Sequence, residues 1–196
     1  MIDKARDMPE DPKSVTRLRR FARDRLAQFE PEALQAELQG TSDRAVVIVL
    51  GAFIDDALEH VIALKMRRLN DAEYVEAFRH DGPLGPFSAR IDMAYYLGVI
   101  ETPLRKRFHE LREMRNACAH AKRPISFAND ELGNVCRRFL REAKFKIYEE
   151  TPKGLRAALI AECFWLFNVL VTSEEEATRN LHQAARDHMA EREASQ

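Results

Sequence analysis

The stretch from Thr41 to Leu69 constrains this chain most. It opens on the apolar run AVVIVLGAFI, whose β-branched residues would suit a buried strand. The continuation DDALEHVIALKMRRL decides for helix. Ile54, Ala57, Leu58, Val61, Ile62 and Leu64 extend the apolar stripe at spacings of three and four. Asp43 or Ser42 can cap this helix, and Arg67 and Arg68 fall in its last turn, where cations meet the negative end of the dipole. A helix of this length acts as an axis for others. The expected fold is all-α, a multi-helix bundle around a long central helix.

The flanks read the same way. Only seven glycines interrupt long stretches of Ala, Leu, Glu and Arg. Val15, Leu18, Phe21, Ala22 and Leu26 follow Ser14 at helical spacing, and Pro31 and Gly40 bracket a second helix, so residues 1–40 are expected to form a helical hairpin. After the central helix, 70–81 reads as a short polar helix that GPLGP, Gly82 to Pro86, must break. Ser88 is expected to cap the next helix, with Gly98 near its end. Pro103 opens a further helix that Pro124 stops or closely follows. Asn129 or Asp130 can cap ELGNVCRRFLREAK, and Phe145 to Gly154 reads as a loop or short extended segment. Leu155 to Val171 is apolar almost all round, which places it centrally or in a subunit interface. Ser173 and three glutamates begin a polar terminal helix. The domain boundaries expected are thus 1–40 for the hairpin, 41–172 for a helical core, and 173–196 for a polar helix packed on it.

Composition excludes several classes. A net charge of -1 gives no global basic signal for duplex DNA. Cys118, Cys136 and Cys163 are odd in number and widely spaced, matching neither a disulfide framework nor a zinc pattern, and a reducing cytoplasm follows most simply. The first fourteen residues lack the apolar core of a secretory signal. Ala45 to Ile54 is too short to span a bilayer, and Leu155 to Val171 carries Arg156, Glu162 and Asn168, so no membrane role is expected.

Chemistry concentrates in LRKRFHELREMRNACAHAKRPISF, Leu104 to Phe127. Asn116 and His120 lie four apart on one helix face, with Arg112 a turn earlier. Arg115 lies five residues before His120, roughly 140° around the helix, so one subunit aims the two side chains differently. A second copy could complete a cleft. Seven Lys or Arg residues between Leu104 and Arg123 stand against Glu110 and Glu113, and Arg137, Arg138, Arg141, Lys144 and Lys146 follow. They are either a phosphate-attracting face or solvated surface. His120 can act as a general base near neutrality, or simply favour a helix C-terminus. Asp55, Asp56 and Glu59 form an acidic helix surface with only a weak metal pattern. GPLGP lacks the lysine and the strand-to-helix setting of a phosphate loop, so it is expected to be a structural turn.

These motifs carry two resemblances. GPLGPFSARIDMAYYLGVI, LREMRNACAH and FANDEL, in that order, resemble the mannitol operon repressor family over roughly Ser42 to Leu140. That resemblance implies an all-helical transcriptional regulator. The chain offers no helix-turn-helix, zinc finger or basic tail, so such a regulator is expected to act through a protein partner, or as a homodimer, rather than by direct sequence-specific DNA binding. Arg115, Asn116 and His120 also resemble the Arg-x4-6-His motif of the HEPN superfamily, whose active members resemble metal-independent endoribonucleases working as dimers. That resemblance implies RNA as substrate, with His120 activating a ribose 2′-OH, Arg115 stabilising phosphorane charge and Asn116 orienting the pair. Neither reading calls for a cofactor or a metal. The regulator reading leads and makes the chain no enzyme. In it, Arg115 and His120 stabilise the helix end and the loop through Phe127.

Overall fold

The structure is a computed structural model that describes residues 31–66, 69–143 and 148–170. Within them lie α1 (Pro31–Gln39), α2 (Asp43–Lys65), α3 (Asp71–Phe78), α4 (Phe87–Tyr96), α5 (Thr102–His120) and α6 (Asp130–Arg141). A seventh helix, α7, covers 152–170, and the described residues contain no strand. The fold is all-helical, as the periodicity requires. The expected helix after Ser14 and the polar terminal helix of 173–196 fall outside the described residues.

Helix α2 is the axis. Val46, Val47, Leu50, Ile54, Ala57, Leu58, Val61 and Ile62 are all fully buried, and α2 packs against both α4 and α5. The AVVIVLGAFI run is therefore helix. Of the two cap candidates Ser42 serves, accepting from the Ala45 N–H at 3.2 Å. Asp43 is already inside the helix, and its carboxylate accepts from the Phe127 N–H at 3.0 Å and from Arg156 at 2.8 Å. The helix ends at Lys65, short of the expected Leu69, because Met66 turns extended.

Two other boundaries move for local reasons. Helix α3 stops at Phe78, closed at its start by a capping box between Asn70 and Glu73 with both bonds at 3.0 Å. Helix α4 begins at Phe87 with Pro86 in the cap position and no side-chain cap bond, so Ser88 lies within the helix and does not cap it. The carbonyl of Pro86 takes the Ala89 and Arg90 N–H groups, and the fixed proline φ suits the entry. At the far end Gly98 adopts φ 68, and the Gly98 and Val99 N–H groups return to Tyr95 and Ala94 in a Schellman closure. Asn129 sits at the cap position of α6, but its side chain accepts from the Ser126 N–H at 2.7 Å.

Helix α7 starts three residues before Leu155, with the Thr151 hydroxyl accepting from the Gly154 N–H at 3.0 Å. It is one-sided rather than apolar all round. Leu155, Leu159, Cys163, Leu166, Phe167 and Leu170 are buried, while Lys153, Ala157, Ala161 and Asn168 are exposed. Small alanines on its outer face gave it an apolar reading. Its buried residues join those of α2, α4, α5 and α6 in one hydrophobic cluster. Among the described residues no helix is long and apolar enough to cross a membrane.

Candidate functional site

Helix α5 runs antiparallel to α2. Arg44, near the start of α2, donates to the Ala119 carbonyl at 3.2 Å near the end of α5, and Gly51 lies under Arg115. A Cβ at Gly51 would stand 2.7 Å from Arg115 Cγ and 2.8 Å from its Cβ. A glycine in mid-helix costs roughly 1 kcal/mol against alanine, and here it opens the slot through which the motif arginine passes. Arg115 is half-buried, donates to Asn116 Oδ1 over a long 3.4 Å, and its charge acts on Asp55 and Asp56.

That acidic surface of α2 is bound by arginine rather than arranged for a metal. Arg90 reaches Asp55 at 2.7 Å and Glu59 at 2.8 Å, and the Tyr74 hydroxyl donates to Glu59 at 2.6 Å. Among the described residues no three His, Cys, Asp or Glu side chains are grouped to hold a metal ion. Burial pushes the Asp55 carboxyl up, against the opposing charge of Arg90. Asp56, on the solvent side of α2 but with its carboxyl partly desolvated by its neighbours, is pushed up to about 6, first by that desolvation and then by the charges of Asp55 and Glu59, with Arg90 and Arg115 offsetting part. Arg90 also donates to the Leu84 carbonyl at 2.9 Å, inside GPLGP. GPLGP is thus a turn pinned to α2 from within. Sequence reasoning passed over Arg90 and Gly51. The signals were an arginine sharing a face with Phe87, Ile91 and Ala94, and a glycine inside an apolar helix.

His120 is the last residue of α5 and is exposed. Among the described residues no side-chain bond joins it to Arg115 or Asn116. The structure therefore brings Arg115 and Asn116 together and leaves His120 a turn away, open to solvent. Among the described residues Arg115 and His120 make no hydrogen bond that holds the loop through Phe127, the role the regulator reading expects of them. Asp43 and Asn129 do, through the Phe127 and Ser126 N–H groups.

Five arginines of this region pair with carboxylates of the same chain, Arg107 in the core and the others at or near the surface. Arg105 binds Asp92 at 2.8 Å and lies over the Tyr95 ring at 4.7 Å. Arg107 binds Glu162 in full burial, and Arg112 binds Glu113. Arg137 binds Glu150 at 2.9 Å and Arg138 binds Glu110 at 2.8 Å. All three cysteines are buried, and burial drives the thiols up, to about 11 for Cys118 and about 12 for Cys136, so they are not nucleophiles. A cavity of about 520 Å³ between α1 and α7, walled by Gln35, Gln39, Ile160 and Phe164, contains no motif residue.

Comparison with protein families finds no match, and comparison with curated proteins finds none either. Among solved structures the chain is similar to a chain of the MtlR–HPr complex from Escherichia coli, determined by X-ray crystallography. The TM-score is 0.57 and the identity 19%, over 71% of this chain and 94% of that one. At that identity the likeness establishes a shared helical fold.

Proposed function

We propose that this chain is a transcriptional regulator of the mannitol-repressor type that acts through protein contacts in the cytoplasm and does not read DNA itself. The observation that carries this reading is the fold shared with a chain of a complex between MtlR and a second protein, HPr. The internal ion pairs of α5 and α6 support it. A DNA surface needs free cations along the phosphates, and here arginine after arginine is bonded to a carboxylate of the same chain. The test is calorimetric titration with HPr beside a gel-shift assay on promoter DNA. Micromolar or tighter binding of HPr with weak, salt-sensitive DNA binding is the expected result. A tight footprint on one operator by the isolated protein near physiological salt refutes it.

A HEPN-type endoribonuclease is the second reading, and the open position of His120 favours it. A base at the end of α5 would be free to meet a ribose hydroxyl, with Asn116 holding Arg115 one turn away. Against it, Arg115 is half-buried beside Gly51 of α2, and its charge already acts on the Asp55 and Asp56 carboxyls. Metal-independent RNA cleavage giving 2′,3′-cyclic phosphates, abolished in His120→Ala at unchanged melting temperature, would put this reading first.

A further inference from the structure

The cavity of about 520 Å³ between α1 and α7 lies apart from the motif residues, and its walls differ in kind. Its floor is one face of α7. Ala157, Ile160, Ala161 and Phe164 fall at i, i+3, i+4 and i+7, a strip roughly 10 Å long at the helical rise. The Phe164 ring is backed by Phe53 of α2, with ring centroids 6.1 Å apart, so the floor belongs to the packed core. From the facing wall α1 supplies the amides of Gln35 and Gln39. Lys153 and Arg156 line the end nearest the start of α7. Arg156 is already engaged, on the Asp43 carboxylate and on the Leu38 and Thr41 carbonyls. It thereby covers the negative end of the α1 dipole. Lys153 is exposed, and among the described residues its ammonium has no hydrogen bond or ion pair. It lies in the first turn of α7, where the helix dipole is also positive. Among the described residues no carboxylate lines the cavity.

We propose that this cavity binds a small apolar monocarboxylate, its head toward Lys153 and its body along the α7 floor. The lining selects the class. Cavities of this volume take small organic ligands, gripping them by apolar walls and a few placed polar groups. Charge decides the head. A cation with no acid opposite it attracts an anion, whereas a cationic ligand would meet Lys153 as a like charge. The floor decides the body. A polyol would lose water from its hydroxyls against Ile160 and Phe164, which offer no hydrogen bond in return. An apolar body gains from the same contact. Length sets the size, since the strip accommodates a fused pair of aromatic rings or a medium alkyl chain. No residue of the Arg115 motif takes part, so the site stands whichever reading of that motif holds.

Titration of the full chain with 2-naphthoate, followed by its fluorescence, reads the site, and the uncharged 2-naphthamide serves as comparator. Wild type should bind the acid with a Kd below about 1 mM and prefer it to the amide about fivefold. Lys153→Gln should weaken the acid about fivefold and leave the amide unchanged, reducing the preference to less than about twofold. Ala161→Leu fills the cavity from an exposed position. It should weaken both ligands about tenfold or more while the melting temperature stays within about 2 °C of wild type. Lys106→Gln removes a charge from an exposed lysine of α5 and should change either Kd less than about twofold. Absence of binding by wild type would show that something else fills the space, and equal affinity for acid and amide would show that Lys153 reads no charge. Either result overturns the proposal, as does an equal effect of Lys106→Gln and Lys153→Gln. Light scattering on wild type and Ala161→Leu covers the remaining occupant. An oligomer that Ala161→Leu dissociates would assign this face to a second copy of the chain and overturn the ligand site.

Discussion

A missing Cβ at Gly51 decides where the motif arginine lies. With any side chain there, Arg115 Cβ and Cγ would have to move, and neither is the free end of a flexible chain. Gly51→Ala should therefore lower stability by about 1–2 kcal/mol, overpacking outweighing the better helix propensity of alanine. Adding Arg115→Ala should recover most of that loss, since residues in contact are not additive. Equal losses that simply sum, measured by urea denaturation, would contradict the packing. Asp56 makes a second test. Its folded-state value of about 6 lies above the ordinary 3.8, so the folded chain binds that proton more tightly than the unfolded chain does. The contribution is fully present below pH 3.8 and is lost as pH rises through about 6. Asp56→Asn should leave the melting temperature unchanged at pH 3.5. At pH 7.5 it should raise it by about 2–4 °C, because the exposed position screens the gain to about 1 kcal/mol. A larger gain at pH 3.5 than at pH 7.5 would reverse the sign and refute the account. The candidate residues themselves were legible in the sequence, as was the divergent aim of Arg115 and His120, since both follow from helical spacing. Their partners were not. Nothing in the order of residues says that Asp55 and Glu59 meet Arg90 from another helix.

Among the elements, the turn from 79 to 86 shows how far local chemistry reaches. Two glycines and two prolines in GPLGP announce a break, and the break is where they put it. The reason for each glycine needs the fold. A Cβ at Gly82 would come within 2.3 Å of the Glu76 carbonyl oxygen, and one at Gly85 within 2.2 Å of that of Arg79. Neither has positive φ, so close approach to backbone, not left-handed geometry, is what demands glycine. Gly82→Val and Gly85→Val should each cost about 3 kcal/mol or more, because backbone oxygens at a helix end and in the turn after it cannot step aside as side chains do. Either variant melting within 1–2 °C of wild type would show the turn to be looser than this. Pattern reading also favoured Ser88 as a cap, since serine is the commoner residue there. Pro86 won because its φ is preset and its carbonyl starts the helix, a contest between two local preferences that composition cannot rank.

For the whole molecule, the deciding interaction is the one between α5 and α7. Glu162 was legible as a charge inside an apolar helix, sufficient to argue against a membrane span, but its partner lies 55 positions away. Arg107 meets it with side chains only 3% and 1% exposed, while the Arg107 Nε donates to the Phe139 carbonyl at 3.3 Å and the guanidinium lies 4.8 Å from the Phe139 ring. One side chain thus joins α5, α6 and α7 at the centre of the cluster. Removing one partner strands a charge in the core. Glu162→Leu or Arg107→Met should each lower stability by about 3–5 kcal/mol. Replacing both together removes the stranded charge as well as the pair, so Arg107→Met with Glu162→Leu should be much closer to wild type than either single variant. Chemical denaturation of the four proteins measures this coupling. If the double variant is destabilised by the sum of the singles, the pair is not a unit. The three helices would then be joined by apolar packing alone.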